Sequence, residues 1–212
     1  MNLQFILKYQ RILRKMKDSK TLLKELFRKS IHLCSSVVPW FFASYYWQTV
    51  YGLLIIVSFY YLCEIARLEG HPVPVVSLIT ETASRQRDEC KFVLGPVTLV
   101  FGIVFAALVL PLSCAKIGIF ALAFGDGLAS LAGKMFGRVK IPHTGGKTLE
   151  GSLTCFAAVF LSTYIVTGLS IVSLIIALVA MLIEVLPLGD WDNMIIPVTT
   201  GGVYYLLTIL FF

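Results

Sequence analysis

A single carboxylate lies in the middle of an apolar stretch of the chain. Asp126 stands between Gly125 and Gly127, and no charged residue occurs between Lys116 and Asp126. If this stretch is helical as far as Lys134, the carboxylate lies about 12 Å from that lysine along the helix axis. An unpaired carboxylate at that depth in a membrane costs several kcal/mol, which points to a function. It could bind Mg²⁺ or act as a base on a hydroxyl, and the sequence does not separate these roles.

A basic segment containing two adjacent glycines follows Asp126. Lysines supply point charges to phosphate, and glycines let backbone N–H groups approach phosphate oxygens. The segment contains Lys134, Arg138, Lys140, His143, Gly145, Gly146 and Lys147. Its Gly-Gly-Lys-Thr run is not a P-loop, because that motif needs a glycine where this chain has Ile141, and a preceding strand. The alternative to a phosphate site is an ordinary basic loop on the cytoplasmic side.

The helix that carries Asp126 has two distinct faces. Small residues recur every four positions on one face, which would let another backbone approach closely, within the chain or in a homodimer. Polar residues recur at the same spacing on the adjacent face. The small face comprises Gly125, Ala129, Gly133 and Gly137, and the polar face comprises Asp126, Ser130 and Lys134. The alternative to a functional carboxylate is that the glycines only pack and Asp126 pairs with a neighbouring arginine.

Other charged residues lie near predicted membrane boundaries. Arg28, Lys29 and His32 precede the first apolar run, and taken alone they are typical of cations that anchor a helix at the membrane surface. A later acidic group comprises Glu184, Asp190, Asp192 and Asn193, and taken alone it is a polar turn. Acidic and basic clusters on one membrane face would together suit a polyphosphate with its metal.

The elements that must hold these residues are membrane helices. The 212 residues are 58% hydrophobic and only 14% charged, whereas about a quarter of a soluble domain is charged. We predict an all-α polytopic membrane protein, with a basic amphipathic interfacial helix over 1–30 and a single transmembrane catalytic domain over 31–212. About seven spans are predicted, at 31–48, 49–66, 92–112, 115–133, 148–168, 169–186 and 194–212.

The distribution of charge orients these spans. With a cytoplasmic N-terminus, all eighteen Lys and Arg residues except Lys116 lie on the cytoplasmic side, as the positive-inside rule requires. The net charge of +6 therefore needs no nucleic-acid partner. Ionisable residues gather at the cytoplasmic ends of the spans, which favours a one-sided site over a transporter with polar groups at the midplane. The five scattered cysteines support neither a disulfide framework nor a zinc site.

Several motifs, in order, resemble the CTP-dependent polyprenol kinase family, which includes dolichol kinase, phytol kinase and CTP-dependent diacylglycerol kinases. The matching residues run from about 28 to about 200. They are Arg28-Lys29-x-x-His32, Glu64-x-x-Arg67, Arg87 and Glu89 ahead of Gly95-Pro96, the glycine-rich run from Gly125 to Gly137, and Lys147 to Ser152. Thr148 stands where the family more usually has serine, and the Gly145-Gly146 pair is less typical. The C-terminal signature of the related phosphatidate cytidylyltransferases is missing.

The resemblance implies an enzyme that transfers the γ-phosphoryl group of CTP to the hydroxyl of a membrane lipid alcohol, with Mg²⁺, at the cytoplasmic side of a cell (inner) or ER membrane. The alcohol would be a polyprenol or dolichol, a phytol-like isoprenoid or diacylglycerol. Asp126 and Lys147 are the expected catalytic residues. The nucleotide would be bound by Arg28, Lys29, His32, Lys134, Gly145, Gly146 and Lys147, and the metal by Asp126, Glu150, Glu184 and Asp192. The alternatives are CDP-lipid synthesis and a transporter or lipid-binding protein without chemistry.

Overall fold

The computed structural model describes residues 21–84 and 91–211, and within these ranges the chain is helical. The prediction of an all-α fold is confirmed. The described part of the chain contains no strand beyond an isolated antiparallel bridge between Lys140 and Thr148.

One helix runs through the centre of the bundle. It consists of α6 (Leu112–Phe120), a π-helical turn (Ala121–Asp126) and α7 (Gly127–Phe136), which follow one another without a break. Its most apolar 18-residue stretch is 72% buried, whereas the corresponding stretches of the other three helices of membrane-crossing length are 22% to 28% buried. The central helix is therefore enclosed by protein, and the outer helices present most of their surface to the surroundings.

The other described helices pack around this centre. They are α1 (21–34), α2 (Val38–Ser44), α3 (Tyr46–Leu68), α4 (Pro74–Ala83), α5 (Gly95–Val109), α8 (Leu149–Thr167), α9 (Ser170–Val185) and α10 (Asp192–Phe211). The central helix contacts α2, α5, α8, α9 and α10, and α3 packs against α5. Its side chains Ile117, Ile119 and Leu122 are fully buried and form the middle of the hydrophobic core.

Glycine allows the central helix to approach α10 at backbone distance. A Cβ atom added to Gly118 would collide with the carbonyl oxygen of Pro197 in α10. Any larger residue at this position would push the two helices apart.

The first predicted span, 31–48, is wrong as a single helix. The chain passes from α1 through a 3₁₀ turn (Ser35–Val37) into α2, and then breaks at Tyr45 before α3 begins. Pro39 in the first turn of α2 has no N–H to donate, so the preceding helix cannot continue regularly through it. Each of the other six predicted spans coincides with a helix, although the bounds differ by several residues.

Four described helices are long and apolar enough to cross a membrane, which agrees with a helical membrane protein. They are α3, the central helix, α8 and α10. The apolar helices α5 and α9 are shorter, with 15 and 16 residues. At 1.5 Å per residue they are about 23 Å long, less than the roughly 30 Å of a bilayer's hydrocarbon core. The count of seven spans stays a prediction.

An amphipathic N-terminal helix is predicted over 1–30. Residues 1–20 of it lie outside the described residues. From 21 onward the chain belongs to α1, which continues past residue 30 without a break. Its apolar residues Leu23 and Leu26 are exposed, whereas Glu25, Lys29 and His32 are buried. This part of the helix therefore directs its polar face into the protein, the reverse of a helix that anchors itself by charges at the membrane surface.

Candidate active site

The polar face of α1 brings four ionisable side chains to the central helix. The first of them is Glu25. The others follow it by three, four and seven residues, which places all of them on one side of the helix: Arg28, Lys29 and His32. All four are buried or half-buried. The arrangement requires polar partners on the facing helix, because isolated charges in such a position would be strongly destabilising.

Asp126 is the first of these partners. The Nζ atom of Lys29 donates a hydrogen bond to its Oδ2 atom, and Nδ1 of His32 lies 3.3 Å from the same oxygen. The Lys29 side chain is only 1% exposed. Asp126 therefore pairs with a lysine from a distant helix rather than with an arginine, and Lys29 does not reach the membrane surface as an anchor.

A π-helical turn places Asp126 at this position. The turn spans Ala121–Asp126 and holds one residue more than an α-helical turn would, which rotates the residues beyond it. Gly125, inside the turn, lies against α8, since a Cβ atom there would be 3.2 Å from Sγ of Cys155. π-helical turns occur frequently at functional sites, and sequence periodicity gave no indication of this one.

Glu25 is a member of the site that the sequence reasoning missed. Arg28 and Ser130 both donate hydrogen bonds to its Oε1 atom, and Nζ of Lys134 donates to Oε2 at 2.6 Å. Burial alone would raise the pKa of Glu25, but the charges of Arg28 and Lys29 and the hydrogen bonds from Lys134 and Ser130 hold it well below its usual range. Its position one helical turn before Arg28 and Lys29 was the signal that could have found it.

The predicted polar face of the central helix is thus one surface of the site. Asp126 contacts Lys29, while Ser130 and Lys134 contact Glu25. Lys134 remains 38% exposed at its side chain and Arg28 15% exposed. The two cations at the outer edge can therefore be reached from outside, whereas the Lys29–Asp126 pair lies behind them.

A second acid–lysine pair, formed by a buried glutamate and a half-buried lysine, lies at the start of α8. Nζ of Lys147 is 2.9 Å from Oε1 of Glu184 and also donates to the backbone carbonyl of Glu184. The hydroxyl of Ser152 donates to Oε2 of Glu184 at 3.1 Å. Cys155 lies against Gly125, next to Asp126, and Ser152, about one helical turn earlier in α8, contacts Glu184, so both pairs lie along α8. Lys147 contacts Glu184 and not Asp126.

The loop between α7 and α8 is closed by backbone hydrogen bonds. The N–H of Ile141 donates to the carbonyl of Lys147, and the N–H of Leu149 donates to that of Val139, both at 2.9 Å. The carboxylate of Glu150 accepts from the N–H groups of Arg138 and Val139 at 2.9 and 3.2 Å. Glu150 therefore anchors this loop, and the structure does not bring it to Asp126.

The glycine pair of that loop lies exposed at its tip. Gly145 and Gly146 have φ angles of +71° and +98°, in the left-handed region that favours glycine. No other atom comes within 4 Å of where a Cβ atom would be at either position. The described structure thus leaves the pair accessible at the surface but apart from the Lys29–Asp126 pair, and its role in nucleotide binding stays a prediction.

Asp192 lies at a third place, where α10 begins against α5. Its Oδ1 atom accepts a hydrogen bond from the N–H of Asn193 at 2.8 Å. The Asn193 amide in turn donates to Thr98 Oγ1 at 2.9 Å. Asp192 is buried, and these bonds join the start of α10 to α5.

The donor groups can be compared with what Mg²⁺ requires. Within the ranges 21–84 and 91–211, no three His, Cys, Asp or Glu side chains come together to hold an ion. Mg²⁺ at phosphoryl-transfer sites commonly takes one or two carboxylates, with phosphate oxygens and water as its remaining ligands. Asp126 and Glu184 are two carboxylates of that type, and each is paired with a lysine. Their oxygen atoms are donors of the type that Mg²⁺ takes, and a magnesium site at these residues stays a prediction.

Glu64 and Arg67, which belong to the motifs that resemble the kinase family, position a neighbouring segment of the chain. Arg67 donates two hydrogen bonds to the buried carboxylate of Glu64, at 2.8 and 2.7 Å, and a third to the carbonyl of Lys91 at 2.9 Å. Glu64 also accepts the N–H of Val93 at 2.9 Å. The pair therefore fixes the segment that leads into α5. Arg87 and Glu89 lie outside the described residues.

Fold and site together define an all-helical membrane protein with one buried acid–lysine pair, a second pair that is half-buried, and accessible cations near the ends of its helices. The chain is similar to three phytol kinases. It is 30% identical to the probable phytol kinase 1, chloroplastic, of Glycine max over 60% of this chain and 48% of that protein. It is 25% identical to phytol kinase 1, chloroplastic, of Arabidopsis thaliana over 86% of this chain and 66% of that protein.

The third similar protein is the phytol kinase of Synechocystis, with 29% identity over 72% of this chain and 65% of that protein. The chain therefore spans between about half and two thirds of the length of these relatives. No protein-family model matches the sequence, and no solved structure matches it. The resemblance to the CTP-dependent polyprenol kinase family is confirmed by these three similarities.

Proposed function

We propose that this protein is a membrane kinase that transfers the γ-phosphoryl group of CTP to the hydroxyl of an isoprenoid alcohol. The observation that carries the proposal is the buried Lys29–Asp126–His32 group behind the accessible cations Arg28 and Lys134. The names of the three similar proteins support the reaction class and the isoprenoid acceptor. Phosphoryl transfer depends mainly on positioning and charge neutralisation, which such a group can supply.

The outer cations would exchange their ion pairs with a carboxylate for ion pairs with the triphosphate. Arg28 and Lys134 are both held by the carboxylate of Glu25. A triphosphate offers several negative oxygens in place of that single carboxylate, and Arg and Lys both bind phosphate well. Glu25 would thus keep the two cations in position before the nucleotide arrives.

Asp126 would act on the acceptor hydroxyl or bind the metal, with Lys29 balancing its charge and His32 fixing its orientation. Lys147 and Glu184 would form the second half of the site around α8. Asp126 and Glu184 are the residues that would hold Mg²⁺, which would supply charge neutralisation at the phosphates.

The orientation of the chain belongs to the same proposal. Seven spans with a cytoplasmic N-terminus would place the α7–α8 loop and the start of α10 on the cytoplasmic side, where CTP is present. The acceptor would enter from the bilayer. The exposed apolar residues of α3, including Ile55 and Phe59, would face lipid or a second copy of the chain.

The proposal is tested with purified protein in lipid nanodiscs, γ-labelled CTP or ATP, Mg²⁺ and a panel of phytol, geranylgeraniol, dolichol and diacylglycerol. We expect labelled phosphate on an isoprenoid alcohol and unlabelled CDP as the other product. In a separate arm, phosphatidate replaces the alcohol, and release of labelled pyrophosphate with CDP-diacylglycerol there would contradict a kinase and establish a cytidylyltransferase. The absence of any labelled lipid with every nucleotide and alcohol would also contradict it.

A further inference from the structure

Lys116 stands apart from the other cations of the chain, near the start of the central helix. The predicted topology leaves it on the side opposite all other Lys and Arg residues. It precedes Lys134 by 18 residues, which corresponds to about 27 Å along the helix axis. This distance is close to the roughly 30 Å thickness of a bilayer's hydrocarbon core. If Lys134 lies at one membrane boundary, Lys116 therefore lies near the other.

Lys116 also differs from the other enclosed cations in its partners. Within residues 21–84 and 91–211, the Lys and Arg side chains that are buried or half-buried are Arg28, Lys29, Arg67, Lys116 and Lys147. Four of them form an ion pair with a carboxylate, and Lys116 forms none. A half-buried charge without a counter-ion is costly to hold away from water. The position therefore favours an anion that comes from outside the chain.

Two aromatic rings flank the ammonium group of Lys116. Its Nζ atom lies 4.8 Å from the ring centre of Trp40 in α2 and 5.7 Å from that of Phe120. Ring faces attract a cation and hold it in place, but they do not neutralise its charge. Because Trp40 is 63% exposed and Lys116 is half-buried, a ligand can reach both side chains from outside the bundle.

The elements that meet at this end of the bundle present further aromatic side chains. The chain turns from α2 into α3 at Tyr45. The hydroxyl of Tyr46 donates a hydrogen bond at 2.7 Å to the carbonyl of Ala107, shortly before the central helix begins. Tyr45, Trp47 and Tyr51 are 57% to 61% exposed. Exposed Tyr and Trp gather at the membrane–water boundary, since each has an apolar ring and one polar group.

We propose that Lys116 and Trp40 form a binding site for the phosphate group of an anionic phospholipid, at the end of the bundle opposite Arg28 and Lys134. The phosphodiester would supply the counter-ion of Lys116, and the indole N–H of Trp40 would donate to a phosphate or ester oxygen. The exposed aromatic side chains favour a lipid over a free phosphate ion, because they gain free energy when hydrocarbon covers them. The site is separate from the proposed kinase reaction and does not depend on it.

Photo-crosslinking tests the site directly. The probe is phosphatidylglycerol with a diazirine on its headgroup, present with the full chain in phosphatidylcholine vesicles without nucleotide. We expect labelled peptides that contain Trp40 or Ser113, with at least about fivefold less label there in Lys116→Met, which loses a charge-assisted contact. Lys116→Arg keeps the charge and should keep the label. Label near Phe136, at the other end of the central helix, should be the same in every variant and controls for reconstitution.

The competitors define the ligand. Excess phosphatidylglycerol without the diazirine should remove the label at Trp40, whereas more phosphatidylcholine should not, because its choline already neutralises the phosphate. Equal label at Trp40 in wild type and Lys116→Met would overturn the proposal. Displacement by phosphatidylcholine or by inorganic phosphate would also overturn it, since the site would then select neither an anionic lipid nor a lipid. Loss of label in Lys116→Arg would show that charge does not hold the ligand.

Thermal unfolding provides a second test without the probe. In detergent without phospholipid, Lys116→Met should unfold at or above the wild-type temperature, because it removes a half-buried charge that has no counter-ion. Added phosphatidylglycerol should raise the Tm of the wild type by about 3 °C more than that of Lys116→Met. Lys91→Met removes an exposed lysine elsewhere and should respond to the lipid as the wild type does. Trp40→Leu serves if Lys116→Met does not fold. An equal rise in Tm for variant and wild type would overturn the proposal.

Discussion

At the scale of single residues, the site is a set of charges that neutralise one another, in which the acids are buried and several of the cations are partly exposed. The charge of Asp126 is balanced by Lys29, and that of Glu184 by Lys147. The carboxylate of Glu25 forms ion pairs with both Arg28 and Lys134. Removing one member of such a pair leaves an uncompensated buried charge, which is far more costly than removing both. Of these three acids, Glu25 has the most side-chain partners.

Glu25→Gln should lower the free energy of unfolding by about 2 kcal/mol at pH 7, because Arg28 and Lys134 lose a charged acceptor. The folded-state pKa of Glu25 lies below its ordinary value of 4.5. Its contribution is therefore complete above pH 4.5 and is lost as the pH falls towards the folded-state pKa. The difference in Tm between wild type and variant should shrink accordingly.

The measurement is thermal unfolding in detergent across pH 7 to pH 2. Glu69→Gln is the matched control, since Glu69 is exposed at the end of α3, and it should leave Tm unchanged throughout. A Tm difference for Glu25→Gln that is absent at pH 7, or that stays constant down to pH 2, would contradict the network described for Glu25.

At the scale of elements, the central helix determines the arrangement of the others. Its glycines let α8 and α10 approach its backbone, and its π-helical turn carries Asp126. The small face predicted from Gly125, Ala129 and Gly133 is used within the chain: Gly125 lies against Cys155 and Val159, and Gly133 lies against Thr148. A Cβ atom added to Gly118 would come even closer to an atom of α10 than one added to Gly125 or Gly133 would come to α8 or Thr148.

Gly118→Ala should destabilise the fold by about 1–3 kcal/mol, because the added methyl group collides with the Pro197 carbonyl in α10. Gly52→Ala is the matched control. Gly52 is also a helical glycine, but no atom lies within 4 Å of the place its added methyl group would occupy, so the change should be neutral or stabilising by up to about 1 kcal/mol. Equal Tm values for the two variants in detergent would contradict the close packing of α6 and α10.

The helical elements were largely predictable from sequence, and their breaks were not. Six of the seven predicted spans coincide with helices, because apolar runs of this length are a strong signal. The interruption around Pro39 and Tyr45 was missed, since the run from 31 to 48 stays apolar across it. The π-helical turn was missed because the sequence of Ala121–Asp126 does not distinguish it from a continuous α-helix.

At the scale of the whole molecule, charges distant in sequence meet at one site. Lys29 and Asp126 are 97 residues apart, and Lys147 and Glu184 are separated by 37. The sequence indicated which residues were unusual for a membrane protein, and it predicted Asp126, Lys29 and Lys147 as site residues. It could not predict which acid would face which base, because that depends on helix rotation and packing. Glu25 escaped notice for the same reason.

The central claim is that the Lys29–Asp126 pair serves phosphoryl transfer and not only packing. The direct measurement is the rate of label transfer from γ-labelled CTP to the isoprenoid alcohol, for wild type, Asp126→Asn and the double variant Lys29→Met with Asp126→Leu. The double variant removes both charges, so it should unfold near the wild-type temperature.

We predict that Asp126→Asn and the folded double variant both lose at least about 100-fold in rate, while Glu69→Gln keeps wild-type activity. A double variant that is folded and transfers label at the wild-type rate would contradict the claim, and the pair would then be structural.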